Sequence, residues 1–140
     1  MVRINKVYEI LVVDDEAVAN KYLKKILGAS GHNVSVSNDA KSALAKVESN
    51  LFDIILLDIR MPGVDGIEIL RQIRKCNNRV AIIMLTAHSD ESVVNKSFAE
   101  GADYFMVKPT DIRDLIDNVI PSSILKRSRV YSSIQTGQFS

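Results

Sequence analysis

Charge of one sign is nearly absent as an excess: 18 basic residues face 17 acidic ones, a formal net charge of +1 over 140 residues. Nothing global therefore points to a nucleic-acid or membrane surface as partner. There is one cysteine, Cys76. An intramolecular disulfide is excluded, and a free thiol in a reducing compartment is expected. No apolar run approaches the roughly 18–20 residues that span a bilayer, and the opening stretch MVRINKVYE has no apolar signal core. Export is not expected and a cytoplasmic location is. Internal repeats and low-complexity tracts are missing too. What remains has the composition of one ordinary globular domain, long enough for a core of its own.

Apolar runs alternate with amphipathic stretches. Glu9–Val13, Asn33–Val36, Asp53–Leu57, Val80–Leu85 and Asp103–Val107 read as strands, the middle ones apolar throughout, as in strands covered on both faces. Between them, helical spacing places Ala17, Leu23, Ile26 and Leu27 inward over Ala17–Leu27, and Ile69, Leu70 and Ile73 inward over Ile67–Lys75. Ala40–Val47 reads as a helix behind Asp39 as N-cap, and Ser89–Glu100 as one carrying Val93, Val94 and Phe98 and closed by Gly101. Thr110 or Asp111 caps a last helix that turns Ile112, Leu115, Ile116 and Val119 inward and ends before Pro121. Met61–Gly66 (MPGVDG) is a loop, with structural roles for Pro62, Gly63 and Gly66 and packing for Met61. Gly66 is expected to hold a positive φ where the loop enters the third helix. The result is an α/β fold: a flavodoxin-like, doubly wound five-stranded parallel sheet of order 2-1-3-4-5 with five helices. In such sheets the site lies beyond the carboxyl ends of the strands.

The polar residues gather at those ends. The first strand runs into Asp14, Asp15 and Glu16, the third into Asp58, the fourth into Thr86, and the fifth into Lys108 and Pro109. One Asp after a strand is ordinarily a cap or loop residue. Carboxylates, a hydroxyl and an ammonium at separate strand ends of one sheet are a pocket. Neighbouring carboxylates repel and need a compensating cation. Hard oxygen donors in an open site suit Mg²⁺, which also accepts phosphate oxygens. A carboxylate beside that ion is a nucleophile for phosphorus, and an ammonium opposite it balances charge growing on the phosphoryl oxygens. Lys108 is the only candidate ammonium at a strand end, and Thr86 can donate to another phosphoryl oxygen.

With its acidic pair in LVVDDE and the segments LLDIRMPGVDG, IIMLTA and YFMVKP in order, the chain from about Tyr8 to Pro121 resembles the receiver domain of two-component response regulators, chemotaxis regulators among them. The resemblance implies a phosphorelay protein that accepts a phosphoryl group on Asp58 from a histidine kinase or phosphotransfer protein, with Mg²⁺ (or Mn²⁺) as cofactor, and that catalyses no reaction beyond its own phosphorylation and dephosphorylation. It makes Asp14, Asp15, Asp58 and the backbone carbonyl of Arg60 the metal ligands, Lys108 the phosphoryl partner, and Thr86 and Phe105 the switch pair. Phe105 stands where many relatives carry Tyr and has no hydroxyl; Tyr104 points to the opposite side of its strand. Small Ala87 leaves access to the site. Lys108-Pro109 matches the family's cis peptide. Arg60 and His88 flank the site as residues that tune phosphoryl lifetime, while His32 receives no role. Phosphorylation, adding roughly 1.5–2 negative charges, would reshape the face built from the fourth helix, fifth strand and fifth helix. That face would control a downstream target of unknown identity or a phosphorylation-dependent dimer, without direct nucleic-acid or membrane contact by this domain.

The receiver reading covers residues 1–121 and leaves 122–140 as a basic, Ser-rich tail or linker. Ile120, Ile124, Tyr131 and Ile134 have roughly helical spacing, so an extension of the last helix is the alternative there. Rival functions lack their motifs. A haloacid-dehalogenase-like phosphatase wants a second Asp two residues after its nucleophile, where this chain has Arg60 or Glu16. A nucleotide or flavin binder wants a Gly-rich loop after the first strand, where this chain has DDEAVAN. A non-phosphorylated pseudo-receiver interaction module would have a broken site.

Overall fold

A computed structural model describes residues 6–61, 63–87 and 90–137. β1 (Glu9–Val13) leads to α1 (Ala17–Ala29), then β2 (Asn33–Ser37), α2 (Ala40–Ser49) and β3 (Ile54–Asp58). A short hairpin, β4 (Arg60–Met61) with β5 (Val64–Asp65), precedes α3 (Gly66–Cys76). β6 (Ala81–Thr86), α4 (Glu91–Ala99) and β7 (Tyr104–Val107) follow. The last helical run has three parts: α5 (Ile112–Asp114), a π-helical turn (Leu115–Val119) and α6 (Ile120–Thr136). The main sheet is parallel throughout, with order β2-β1-β3-β6-β7. Setting aside the hairpin, this is the expected flavodoxin-like order 2-1-3-4-5.

Alternation along the central strands divides the core in two. Leu11, Val13, Ile55, Leu57, Ile82 and Met84 face α2 and α3, meeting Ala43, Val47, Ile69, Leu70 and Ile73. Ile10, Val12, Ile54, Leu56, Ile83 and Leu85 face the other way, onto Leu23 and Leu27 of α1 and onto Leu115, Val119 and Ile120. Apolar runs without polar alternation are thus explained: β3 and β6 are buried along their whole length. Aspartates cap the starts of α2, α3, α4 and α5. Asp39, Asp65, Asp90 and Asp111 accept from the amides of Ser42, Ile67, Val93 and Asp114. Asp111, not Thr110, caps the last helix. Within α1, Ala17 is exposed, Ile26 half-buried, and Asn20 takes an inward position instead.

The chain beyond Pro121 differs from the tail or linker expected there. It is helical to Thr136, as the spacing of Ile120, Ile124, Tyr131 and Ile134 allowed. Pro121 lies inside a continuous helical run, with Val119 and Ile120 both in helical conformation; its missing N–H falls directly after a π turn, where the i→i−4 ladder is already interrupted. The π turn before it closes on Leu115, whose carbonyl accepts from Ile120 N. Arg127, only 7% exposed, fixes α6 to the body. Its Nε donates to both oxygens of Asp103 (2.9 and 3.1 Å) and its Nη2 to the Gly101 carbonyl (3.0 Å). Arg74 reaches the same acid from α3 (3.0 Å). Burial, then the charge of Arg127, pulls the Arg74 guanidinium down to about 10, against the attraction of Asp103.

Candidate functional site

The C-terminal ends of β1, β3, β6 and β7 bring the expected side chains to one place. Asp14 follows β1 and is 2% exposed; Asp58 ends β3 and is 6% exposed. Lys108 follows β7, tied to the end of β6 by its amide, which donates to the Thr86 carbonyl at 2.7 Å. From there its Nζ donates to Asp14 Oδ2 (2.6 Å) and Asp58 Oδ2 (3.3 Å), so one ammonium joins two strand tips. The other oxygens are held by backbone: Glu16 N donates to Asp14 Oδ1 (3.0 Å) and Arg60 N to Asp58 Oδ1 (3.1 Å). The Lys108-Pro109 peptide is cis. Thr86 is buried at the end of β6 and is engaged in an interaction of its own.

Burial pushes the Asp58 carboxyl upward, and the charge of Asp14 adds to it; the Arg60 amide and Lys108 act in the opposite direction and only partly offset them. For Lys108, burial pulls downward, but the hydrogen bond and charge of Asp14, with those of Asp58, outweigh it, and the ammonium is held above its ordinary value. Carboxylate oxygens of Asp14, Asp15 and Glu16 lie within 4.8 Å of one another, a group able to hold a metal ion. Glu16 was not among the expected ligands. Asp58 joins this group through the shared lysine. Asp14, Asp15 and Asp58 against Lys108 leave two negative charges uncompensated, on oxygen donors with Asp15 half-buried and Glu16 exposed. That donor set fits a hard divalent ion that keeps part of its water shell.

The model of the response regulator receiver domain family matches residues 10–120, most of the chain. The chain belongs to this family. It is 38% identical over 111 residues to the response regulator ArlR of Staphylococcus saprophyticus, covering 79% of this chain and 50% of the relative. It is 40% identical over 121 residues to the transcriptional regulatory protein ResD of Bacillus subtilis, covering 86% of this chain and 49% of the relative. This receiver chain therefore spans about half the length of those two relatives. A CheY-like response regulator receiver domain protein from Methanospirillum hungatei superposes with a TM-score of 0.82 at 29% identity, covering 89% of this chain and 98% of the other.

Around the acids, the receiver's remaining expected residues divide. Phe105 is half-buried against the core on the α2–α3 side, and Tyr104 is exposed. The Arg60 side chain is exposed, and its charge helps, after hydrogen bonds from Ser92 and Val93, to hold the Asp90 carboxyl low. His88 and Pro62 lie outside the described residues. Gly66 needs a correction: it has no positive φ, which belongs to Gly63 (73°). A Cβ at Gly66 would instead lie 2.5 Å from Ile59 Cα and 2.6 Å from the Asp58 carbonyl oxygen. Glycine is required there because α3 starts against the backbone that carries Asp58. Sequence reasoning missed Asn20, a buried amide behind the acidic pair. Its signal was available: Asn20, Leu23 and Leu27 fall on one helical face.

Proposed function

We propose that this receiver domain takes a phosphoryl group onto Asp58. The observation that carries the reading is the Lys108 ammonium spanning Asp14 and Asp58, which joins two carboxylates from separate strand tips to one cation and supports Asp58 as nucleophile beside the acidic pair. An Asp58 carboxylate oxygen attacks phosphorus, forming a P–O bond. The P–N bond of a phosphohistidine donor breaks, and its electron pair stays on the imidazole nitrogen, which takes a proton from solvent. The product is an aspartyl phosphate. Lys108 then exchanges a carboxylate for phosphoryl oxygen as partner, and the Thr86 hydroxyl donates to another. Asp14, Asp15, Asp58 and the Arg60 carbonyl would hold Mg²⁺ (or Mn²⁺), with Glu16 beside them. When bound, the ion supplies positive charge against the phosphoryl oxygens.

The upward shift of Asp58 favours its neutral form, so the nucleophile fades as pH falls; a nearby cation restores it. Thr86 moving toward the phosphoryl group would let Phe105 turn inward, biasing the face of α4, β7 and the last helix between two states. The donor is a sensor histidine kinase or phosphotransfer protein in the cytoplasm, and Arg60 and His88 set the phosphoryl lifetime. The names of the relatives support an output in transcription control, delivered by a further domain or a separate target, or through a phosphorylation-dependent dimer. Intact mass after incubation with acetyl phosphate and Mg²⁺ tests the reading. One added phosphoryl group is expected on the wild type and none on Asp58→Asn. A fully labelled variant overturns it. No label on either leaves the pseudo-receiver in its place.

A further inference from the structure

We infer that Asn20 is a positioning residue for the acidic pair Asp14–Asp15, fixing the geometry with which those acids meet a divalent cation; this rests on the reading above. Asn20 sits one turn into α1 and is 5% exposed. Its Nδ2 donates to the Asp14 carbonyl (2.7 Å) and to the Ser37 carbonyl (3.3 Å). Ser37 O also accepts from Asp14 N (3.1 Å), so the amide of Asn20 completes a knot between the tips of β1 and β2. The Asp14 carbonyl belongs to the peptide that joins Asp14 to Asp15. That peptide is planar and rigid. Pinning its oxygen therefore pins the plane from which both acidic side chains depart, one to Lys108 and the other toward the group shared with Glu16.

A packing role alone does not account for this residue. Leu23 and Leu27 share its face and are apolar. The Oδ1 of Asn20 is buried and finds no hydrogen-bond partner among the described residues. An unpaired buried acceptor is destabilising, so an apolar side chain would serve the core better. What the amide supplies, and an apolar group cannot, is a donor to two carbonyls at the strand tips. Groups that orient metal ligands from behind typically change metal affinity by 10–100-fold when removed.

The test titrates MgCl₂ into the full chain as wild type, Asn20→Ala and Leu23→Ala, following backbone amide shifts. Leu23→Ala loosens the same helix face without touching the strand tips. Asn20→Ala should weaken Mg²⁺ by about tenfold or more, while Leu23→Ala binds as the wild type does. At saturating Mg²⁺ the rate of labelling by acetyl phosphate on Asn20→Ala should return to the wild-type rate. Unchanged Mg²⁺ affinity in Asn20→Ala, equal loss in both variants, or a labelling rate that Mg²⁺ does not restore overturns the inference and leaves the Asp58 reading intact. A wild type that binds no Mg²⁺ takes both down. Should Asn20→Ala not fold, the wild type decides. The Asn20 side-chain amide signals should shift along the same Mg²⁺ curve as the Asp15 amide, and no shift overturns the inference.

Discussion

Replacing Asp103 and replacing Arg127 should have very different costs, although each removes one end of the same salt bridge. Asp103 has a fully buried side chain that serves Arg74, Arg127 and the amide of Ile82 (2.9 Å). Asp103→Asn leaves two guanidinium groups in the interior with no counter-charge. Breaking a buried pair by removing one partner costs about 3–5 kcal/mol, and because Asn keeps an acceptor, roughly 3 kcal/mol is expected. Arg127→Met removes instead the surplus cation. Asp103 keeps Arg74 and Ile82 N, Arg74 loses a repulsive neighbour, and the Met stem can cover the same surface. Replacing buried ions by apolar groups is often near neutral, so the cost should be about 1 kcal/mol or less. Urea unfolding reads the difference directly. With a slope of about 2 kcal/mol/M, Asp103→Asn lowers the midpoint by roughly 1.5 M and Arg127→Met by about 0.5 M or less. Equal midpoint losses would refute the charge argument and make Arg127 the main anchor of α6.

Gly66→Ala should destabilise by roughly 1–3 kcal/mol or more, because all three atoms within 2.7 Å of the new Cβ are backbone and cannot swing aside. Its amide spectrum should change most at Asp58 and Ile59. Asp58→Asn should raise the urea midpoint at neutral pH without Mg²⁺. The Asp58 carboxyl is shifted up, mainly by burial and by Asp14, so its ionised form opposes folding above the unfolded-state value of about 4. Saturating Mg²⁺ should then stabilise the wild type more than the variant, since a ligand at 100 times its Kd adds about 2.7 kcal/mol. His32 accepts from Tyr8 N through Nδ1 (3.1 Å), and burial holds its pKa down. The unfolded chain binds that proton more readily. Stability from this site is therefore complete above about pH 6.5 and declines as pH falls through the folded value. His32→Gln should flatten that part of the stability–pH curve.

The sheet and the site acids were legible because both depend on local sequence. Runs such as IILL and AIIML show no alternation and break off in polar residues, and in a parallel sheet every break lies at the same edge. Asp14, Asp58, Thr86 and Lys108 could be placed together from that rule alone. Gly66 was singled out for the wrong reason, since a close approach to Ile59 depends on how α3 packs, not on the loop's own residues. Arg127 stood in a basic, Ser-rich stretch that reads as solvated; the acid that buries it lies 24 residues away. Asp103 read as the first residue of a strand and is instead a buried counter-ion. Pro121 read as a stop, because the π turn that carries the helix past it has no local signature. Asn20 was given no role from the sequence, because its two partner carbonyls, those of Asp14 and Ser37, come together only in the folded sheet.

The most direct test maps the phosphoryl group chemically. Borohydride converts an aspartyl phosphate to homoserine, so peptide mass spectrometry after treatment with acetyl phosphate and Mg²⁺ identifies the residue that carried it. Homoserine is expected at position 58, dependent on Mg²⁺ and lost when Lys108 is replaced by Met. Homoserine at another aspartate, or a phosphoryl group that borohydride leaves in place on a hydroxyl or imidazole, contradicts it.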